Sequence, residues 1–252
     1  MNSSSNTDSA RADIGIVSAL PIEMGQFLDR CERIKHYKGN DLVFRGGRYD
    51  GIRIVVAESG VGFARARKAS RALIDAHQPK WILSSGFSGA LVPDMKIGQI
   101  VMANEIVDQH GQQTAINLSL ESDEENGLYV GRILTADELV RTVEEKRQLH
   151  EKFAAIAVDM ESLAVAQVAA ESKIGFMAVR VISDDMSADL PSEVLSIIGD
   201  TGAVRLGAAL TSIVKRPGSF KDMLHLRSNA QAAAKNLATF LDGVVHQLHS
   251  SG

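Results

Sequence analysis

A three-layer α/β fold, with helices covering both faces of a mixed central sheet, is the architecture this sequence predicts. Three observations lead to it. Short apolar runs rich in valine and isoleucine (residues 13–20, 81–85 and 176–182) read as strands covered on both faces. Longer segments with helical spacing and helix-start signals lie between them. The two kinds of segment alternate along the chain, as in α/β folds. With 252 residues, 45% hydrophobic and 23% charged, the chain suits one large domain. The polar stretch 1–12 predicts a disordered tail, and 13–252 a single domain without repeats or dividing linker.

The first strand, Asp13 to Leu20, ends at Pro21, and Pro21-Ile22-Glu23-Met24 opens a helix to about Arg30. Proline is tolerated there because a first-turn N–H has no helical partner. Glu23 therefore sits in the first turn at a strand's carboxyl end. An acidic side chain in that place complements the helix dipole, and it also stands where open α/β sheets collect ligands. Residues 42–49 and 52–58 predict a hairpin around Asp50-Gly51. Ser59-Gly60-Val61-Gly62 leads into a helix from Phe63 to about Ala76. Glycines between a strand and a helix either cradle a phosphate or make a tight turn; the longer glycine fingerprint and the P-loop lysine are both missing.

The strand Trp81 to Ser85 is followed by Gly86-Phe87-Ser88-Gly89-Ala90, whose small residues permit close backbone approach to a ligand. Residues 98–107 predict another strand, and the acidic stretch 109–127 a surface loop. Thr135-Ala136-Asp137-Glu138 has the spacing of a capping box and predicts a helix from there to about His150. A short strand, 155–158, feeds a helix and then the strand 176–182. Carboxylates stand at both flanks of this last unit: Asp159 and Glu161 before the helix, Asp184 and Asp185 after the strand. That placement predicts a shared cleft for Glu161 and Asp184. The segment Met186 to Ser192 is expected to lie over it. Helices over 202–215 and 220–248 complete the chain.

Several function classes are excluded. Net charge is −4, from 27 basic and 31 acidic residues, so there is no electrostatic footprint of a nucleic-acid binder. The single cysteine, Cys31, rules out an internal disulfide framework and fits a reducing compartment. There is no signal peptide and no membrane span, which predicts a cytoplasmic protein. His110 has no histidine or cysteine partner at metal-ligand spacing, and no metal is expected.

The segments I-G-I-V-S-A-L-P-I-E, E-S-G-V-G-F-A-R-A, S-S-G-F-S-G-A-L, I-G-Q-I-V, A-V-D-M-E-S-L-A-V-A and V-R-V-I-S-D-D resemble the purine and uridine phosphorylase superfamily. Within it, the chain is most similar to the methylthioadenosine/S-adenosylhomocysteine nucleosidases. The resemblance runs over nearly all of the chain from Asp13. Its most specific parts are the last two segments. It implies a single nucleoside phosphorylase-like domain, no metal or organic cofactor, a small-molecule nucleoside substrate and a homodimer. It also implies roles. Asp184 matches the general acid that serves purine N7, so that the base leaves neutral. Glu161 matches the glutamate holding the ribose hydroxyls, and Met160 the methionine beside the sugar. Glu23 matches the base that activates water. Ser183 is expected to orient the aspartate or touch the base.

These assignments suit the chemistry. Breaking an N-glycosidic bond builds positive charge on the sugar and negative charge on the leaving base, so a proton donor and an anion are both needed. Asp184 is expected to carry a proton, through burial or the neighbouring charge of Asp185. Glu23 must stay ionised to accept one from water. The superfamily's phosphorylases place arginines in the first loop and before the second glycine loop, since a phosphate dianion needs charge-assisted donors. Here those loops read Ser18-Ala19-Leu20-Pro21-Ile22-Glu23 and Ser84-Ser85-Gly86-Phe87, which predicts hydrolysis. Two positions depart from the nucleosidase pattern: Phe87 replaces a serine, and Leu139 stands where an aromatic side chain stacks on adenine. The segments R-V-I-S-D-D-M-S-A-D-L-P, K-R-P-G and S-S-G-F-S-G-A are also similar to the hopanoid-associated phosphorylases, which implies an adenosyl lipid as the alternative substrate. A non-catalytic nucleoside-binding protein on the same fold is the third reading.

Overall fold

The computed structural model of the chain describes residues 11–39, 42–192, 194 and 218–251. The tail over 1–10, the helix expected over 202–215 and the K-R-P-G segment up to Pro217 lie outside the described residues.

The strands are β1 (Ile14–Ser18), β2 (Glu32–Gly39), β3 (Leu42–Tyr49), β4 (Ile52–Glu58), β5 (Trp81–Ala90), β6 (Ile100–Asp108), β7 (Gln113–Ala115), β8 (Leu128–Thr135), β9 (Ala157–Asp159) and β10 (Gly175–Asp184). The helices are α1 (Pro21–Leu28), α2 (Phe63–His77), α3 (Val143–Phe153), α4 (Ser162–Ser172) and α5 (Gly218–Ser250). The strands join one mixed sheet in the order β10-β6-β8-β9-β5-β1-β4-β3-β2, with β7 on β6 and β10 also paired to β5. Strands β5, β10, β6, β8 and β9 therefore close into a ring, and β1, β4, β3 and β2 run on from it.

Strand β1 shows how the layers form. Successive side chains of a strand point to opposite faces. Ile14 and Ile16 join a core with Met24 and Phe27 of α1 and Leu237 and Leu241 of α5. Val17 joins the opposite core with Ala66, Ala69 and Leu73 of α2 and Val165 of α4. Helices thus cover both faces, the expected three layers.

The topology leaves one edge open, and that edge positions the site. Strand β10 runs beside β5 from Trp81 to Gly89 and occupies one side throughout. On the other side β1 accompanies β5 only from Trp81 to Ser84. Strand β9 joins that side at Gly89 and Ala90. Between the departure of β1 and the arrival of β9, residues 85–88 have no strand partner on that side among the described residues. This gap is the kind of crevice at strand ends in which α/β proteins bind ligands.

Several local expectations are corrected. Strand β5 continues through Gly86–Ala90, which read as a loop, because β10 pairs with it as far as Gly89. Strands β2 and β8 did not register in the sequence; Glu32–Gly39 is a charged, largely exposed edge strand, as edges facing solvent tend to be. No helix starts at Thr135, which ends β8. Leu139 accordingly lies in the connection to α3 and not on a helix. The capping box belongs to Thr142 and Glu145, one turn before Lys146. The acidic stretch 109–127 contains β7 and a short 3-10 turn at Glu124–Asn126. Among the described residues no helix is long and apolar enough to cross a membrane.

Candidate active site

Two of the sequence-predicted carboxylates meet β5, Glu23 at Phe87 and Asp184 beside Gly89, and the third, Glu161, feels the charge of Glu23. Glu23 reaches β5 from the first turn of α1. Its Oε2 accepts hydrogen bonds from the Ser18 hydroxyl at 2.6 Å and the Leu20 N–H at 2.8 Å. Its Oε1 accepts from the Phe87 N–H at 2.9 Å, on the unpartnered stretch of β5. The side chain is 2% exposed, so these neutral donors replace water around a buried anion. Gly86 makes the approach possible: a Cβ there would lie 2.6 Å from Glu23 Oε1. Glu23 also fits the dipole reading: it stands in the first turn of α1, where its carboxylate accepts the Leu20 N–H.

Asp184 arrives at the same strand from the end of β10. A Cβ on Gly89 would lie 2.9 Å from its Oδ2, so glycine is needed here too. Ser183 donates its hydroxyl to Asp184 Oδ1 at 2.8 Å, the orienting contact expected of it. The expected negative neighbour is corrected. The Asp185 carboxylate turns to the N–H and hydroxyl of Ser187. In its place Asp184 Oδ2 pairs at 2.6 Å with the ammonium of Lys146, whose side chain is wholly buried.

Glu161 stands at the start of α4. Its Oε1 accepts the Gly62 N–H at 2.8 Å. The glycine turn before α2 therefore already holds the protein's own carboxyl group, and Gly62 adopts φ +105° there. Glu161 Oε2 lies 3.5 Å from Nη1 of Arg180, a guanidinium 1% exposed, whose Nε lies 2.9 Å from Asp159 Oδ2. Arg180 also donates to the Ser84 hydroxyl at 2.7 Å and to the Phe87 carbonyl at 3.4 Å. Asp159 in turn accepts the Glu161 and Ser162 N–H groups and the Thr135 hydroxyl, which itself accepts the Leu163 N–H. Thr135 thus serves a helix start after all, but that of α4, distant in sequence. Burial first, then the nearby carboxylates of Asp159 and Glu23, push Glu161 up to about 7 against the pull of Arg180 and the Gly62 N–H.

The remaining expected residues are all half-buried. Met160 is half-buried between Asp159 and Glu161. Phe87 is half-buried and packs against the core of the α1/α5 face, while its peptide N–H and C=O bind Glu23 and Arg180. Leu139 is half-buried in the β8–α3 connection. The hydroxyls of Ser85 and Ser88 are buried at the open edge without a hydrogen-bond partner among the described residues. The segment after Asp185 docks on the start of α3: Val143 N–H donates to Asp189 Oδ1, and Leu190 N–H to the Arg141 carbonyl. His110 makes an exposed pair with Asp137. Among the described residues, no group of three or more potential ligands is placed to hold a metal ion.

Two charged residues of the site escaped the sequence reading. Arg180 left a signal, because a lone arginine inside the apolar run 176–182 must find a partner if it is buried. Lys146 left none, since its helix V-E-E-K-R-Q-L-H-E-K-F is polar nearly throughout.

The model of the phosphorylase superfamily matches residues 13–124 and, overlapping it, 115–215. The chain belongs to the phosphorylase superfamily. Among curated superfamily relatives, a 5′-methylthioadenosine/S-adenosylhomocysteine nucleosidase of Staphylococcus haemolyticus is 24% identical over 68% of this chain and 86% of its own length. The corresponding nucleosidase of Neisseria meningitidis, solved with methylthio-immucillin-A, superposes with a TM-score of 0.71 at 19% identity, covering 93% of this chain and 98% of that one. A futalosine hydrolase of Helicobacter pylori superposes with a TM-score of 0.70 at 21% identity, covering 95% and 99%. The fold is the one these superfamily members share.

Proposed function

We propose that this superfamily member is a hydrolase of the N-glycosidic bond of an adenine nucleoside, of the methylthioadenosine/S-adenosylhomocysteine type, and releases adenine. The observation that carries this reading is the charge arrangement around Arg180. Asp159 and Glu161 both pair with one guanidinium, Arg180, and a third carboxylate, Glu23, adds its negative charge at Glu161. A phosphate dianion would meet net negative charge there and no free arginine among these residues. A sugar gaining positive charge meets what it needs.

This reading assigns each residue a role. Glu161 accepts hydrogen bonds from the ribose hydroxyls, and Met160 packs beside the ring. Glu23, held as an acceptor by three neutral donors, takes a proton from the attacking water. Asp184 serves purine N7 from the other side, with Ser183 fixing its second oxygen. Phe87 and Leu139 border the space for the rest of the nucleoside. The named activity of the nucleosidase relatives supports this assignment. The homodimer and the cytoplasmic location belong to the same reading and rest on the family resemblance; sedimentation at twice the monomer mass checks the first.

The test is release of free adenine with and without inorganic phosphate. Methylthioadenosine, S-adenosylhomocysteine, adenosine, futalosine and an adenosyl lipid form the substrate panel. The expected products are adenine and the free sugar, at a rate indifferent to phosphate. Sugar 1-phosphate as the main product overturns the hydrolytic reading. Tight adenosine binding without turnover of any panel member points to a binding protein instead. Preference for the adenosyl lipid assigns the hopanoid-like substrate.

A further inference from the structure

Lys146 is the one buried residue of α3, on a helix otherwise facing solvent or half-buried. Its side chain has no exposure, and its ammonium lies 2.6 Å from Asp184 Oδ2, 2.9 Å from the Asp185 carbonyl and 3.4 Å from the Asp184 carbonyl. All three acceptors belong to the end of β10. Docking a helix does not call for this. An apolar side chain of similar volume holds a helix without the desolvation cost of a buried ammonium, and such replacements are often neutral or stabilising. The half-buried Leu149 and Phe153 of α3 already pack on the apolar cluster of Leu134 and Val158. What the lysine adds is a positive charge and a proton, both delivered to the carboxyl group proposed to serve the leaving base.

We propose that Lys146 positions Asp184 and supplies the proton that Asp184 hands to the departing purine, an inference that rests on the adenine-nucleoside reading. As the C1′–N9 bond breaks, its electron pair stays with the base. Asp184 gives a proton to N7, and the Lys146 ammonium passes one to the Asp184 carboxylate. Water, losing its proton to Glu23, forms the new bond to C1′. Adenine leaves neutral, Lys146 is left as the free amine and Glu23 protonated. Solvent then returns a proton to the first and removes one from the second. Ser183, on Asp184 Oδ1, holds the carboxylate plane while the proton moves. Lys146 acts through Asp184 and does not touch the substrate, so it is a positioning residue.

The test compares leaving groups. Wild type, Lys146→Met, Asp184→Asn and the double variant are assayed for adenine release from methylthioadenosine. They are also assayed for nitrophenolate release from the nitrophenyl glycoside of the same sugar, whose leaving group departs without a proton. Lys146→Met is expected to lose about 10²-fold on the nucleoside, in the range of a proton-transfer contribution, and to keep most of its rate on the nitrophenyl glycoside. The double variant is expected to be no slower than Asp184→Asn alone, as for residues acting as a unit. Circular dichroism checks folding, and the double variant, which removes both charges, serves if Lys146→Met alone unfolds. Equal losses on the two leaving groups, additive losses in the double variant, or no loss in Lys146→Met overturn the inference while leaving the hydrolase reading intact. A wild type that frees no adenine from any nucleoside overturns both.

Discussion

Glu23 meets β5 at Phe87 and Asp184 lies beside Gly89, and the two are held in opposite ways. Glu23 is 2% exposed and bound by a hydroxyl and two peptide N–H groups, none of them charged. Asp184 keeps 17% of its side-chain exposure and is bound by a hydroxyl and a buried ammonium. Neutral donors fix a carboxylate in place and leave its charge unbalanced, which suits a group that must take a proton. An ammonium balances the charge and brings protons with it, which suits a group that must give one. Two carboxylates in one site can thus have their acid and base tasks assigned by their neighbours alone.

The largest effects come from removing either member of this pair. Asp184→Asn and Glu23→Gln are each expected to lower adenine release by about 10² to 10⁴-fold, the usual contribution of a positioned proton donor or acceptor. Measured with the nitrophenyl glycoside, the two should part company: Glu23→Gln stays slow because water still needs its base, and Asp184→Asn recovers. Equal behaviour on both substrates would erase the contrast between the two carboxylates.

Arg180 links the Asp159–Glu161 pair to Glu23, since it binds the Phe87 carbonyl of the peptide segment that donates to Glu23. Arg180→Met leaves Asp159 and Glu161 buried without their cation. A loss of about 3 to 5 kcal/mol is expected, as for breaking a buried pair from one end. Urea denaturation measures it. A variant as stable as wild type would mean that the carboxylates are protonated or hydrated in the folded chain.

Glu161 supplies a pH signature. Folded, it titrates at about 7, against 4.5 for an ordinary glutamate. Between those values the folded chain holds a proton that the unfolded chain has released. The stabilisation is therefore complete below pH 4.5 and fades as pH rises through about 7. The charged groups facing Glu161 are Arg180, Asp159 and Glu23. In Glu161→Gln this fading component should vanish, so the variant gains on wild type between pH 5 and 8 in denaturant titrations. In its proposed role the carboxylate form holds the ribose, so kcat/KM should also rise with pH through the same window in wild type. A wild-type profile flat across that range would count against both statements.

The sequence carried much of this and missed the rest for physical reasons. Glu23, Glu161, Ser183 and Asp184 were legible because each sits where an apolar run gives out, at a strand end or a helix start. Their mutual arrangement was not. It depends on β5 running on through its glycines, and on the gap between β1 and β9, which is a property of strand order and not of any segment. Thr135 shows the limit from the other side. Its spacing to Glu138 satisfies a local helix-start pattern, yet its hydroxyl is taken by Asp159 and Leu163, distant in sequence. Lys146 was invisible because a polar helix hides the one lysine that turns inward.

The smallest effect tests whether the Lys146–Asp184 pair depends on the helix that carries it. Thr142 accepts the Glu145 N–H, and Glu145 returns a bond to the Thr142 N–H, closing the first turn of α3. Thr142→Ala should cost about 1 kcal/mol, the usual value of a lost N-terminal cap. It should leave adenine release unchanged, because Lys146 is held by three acceptors on β10 and the segment after it, and Val143 is tied separately to Asp189. A thermal melt and a rate assay on one preparation separate the two quantities. A rate loss equal to that of Lys146→Met would place control of the ammonium in the helix cap and not at the strand end.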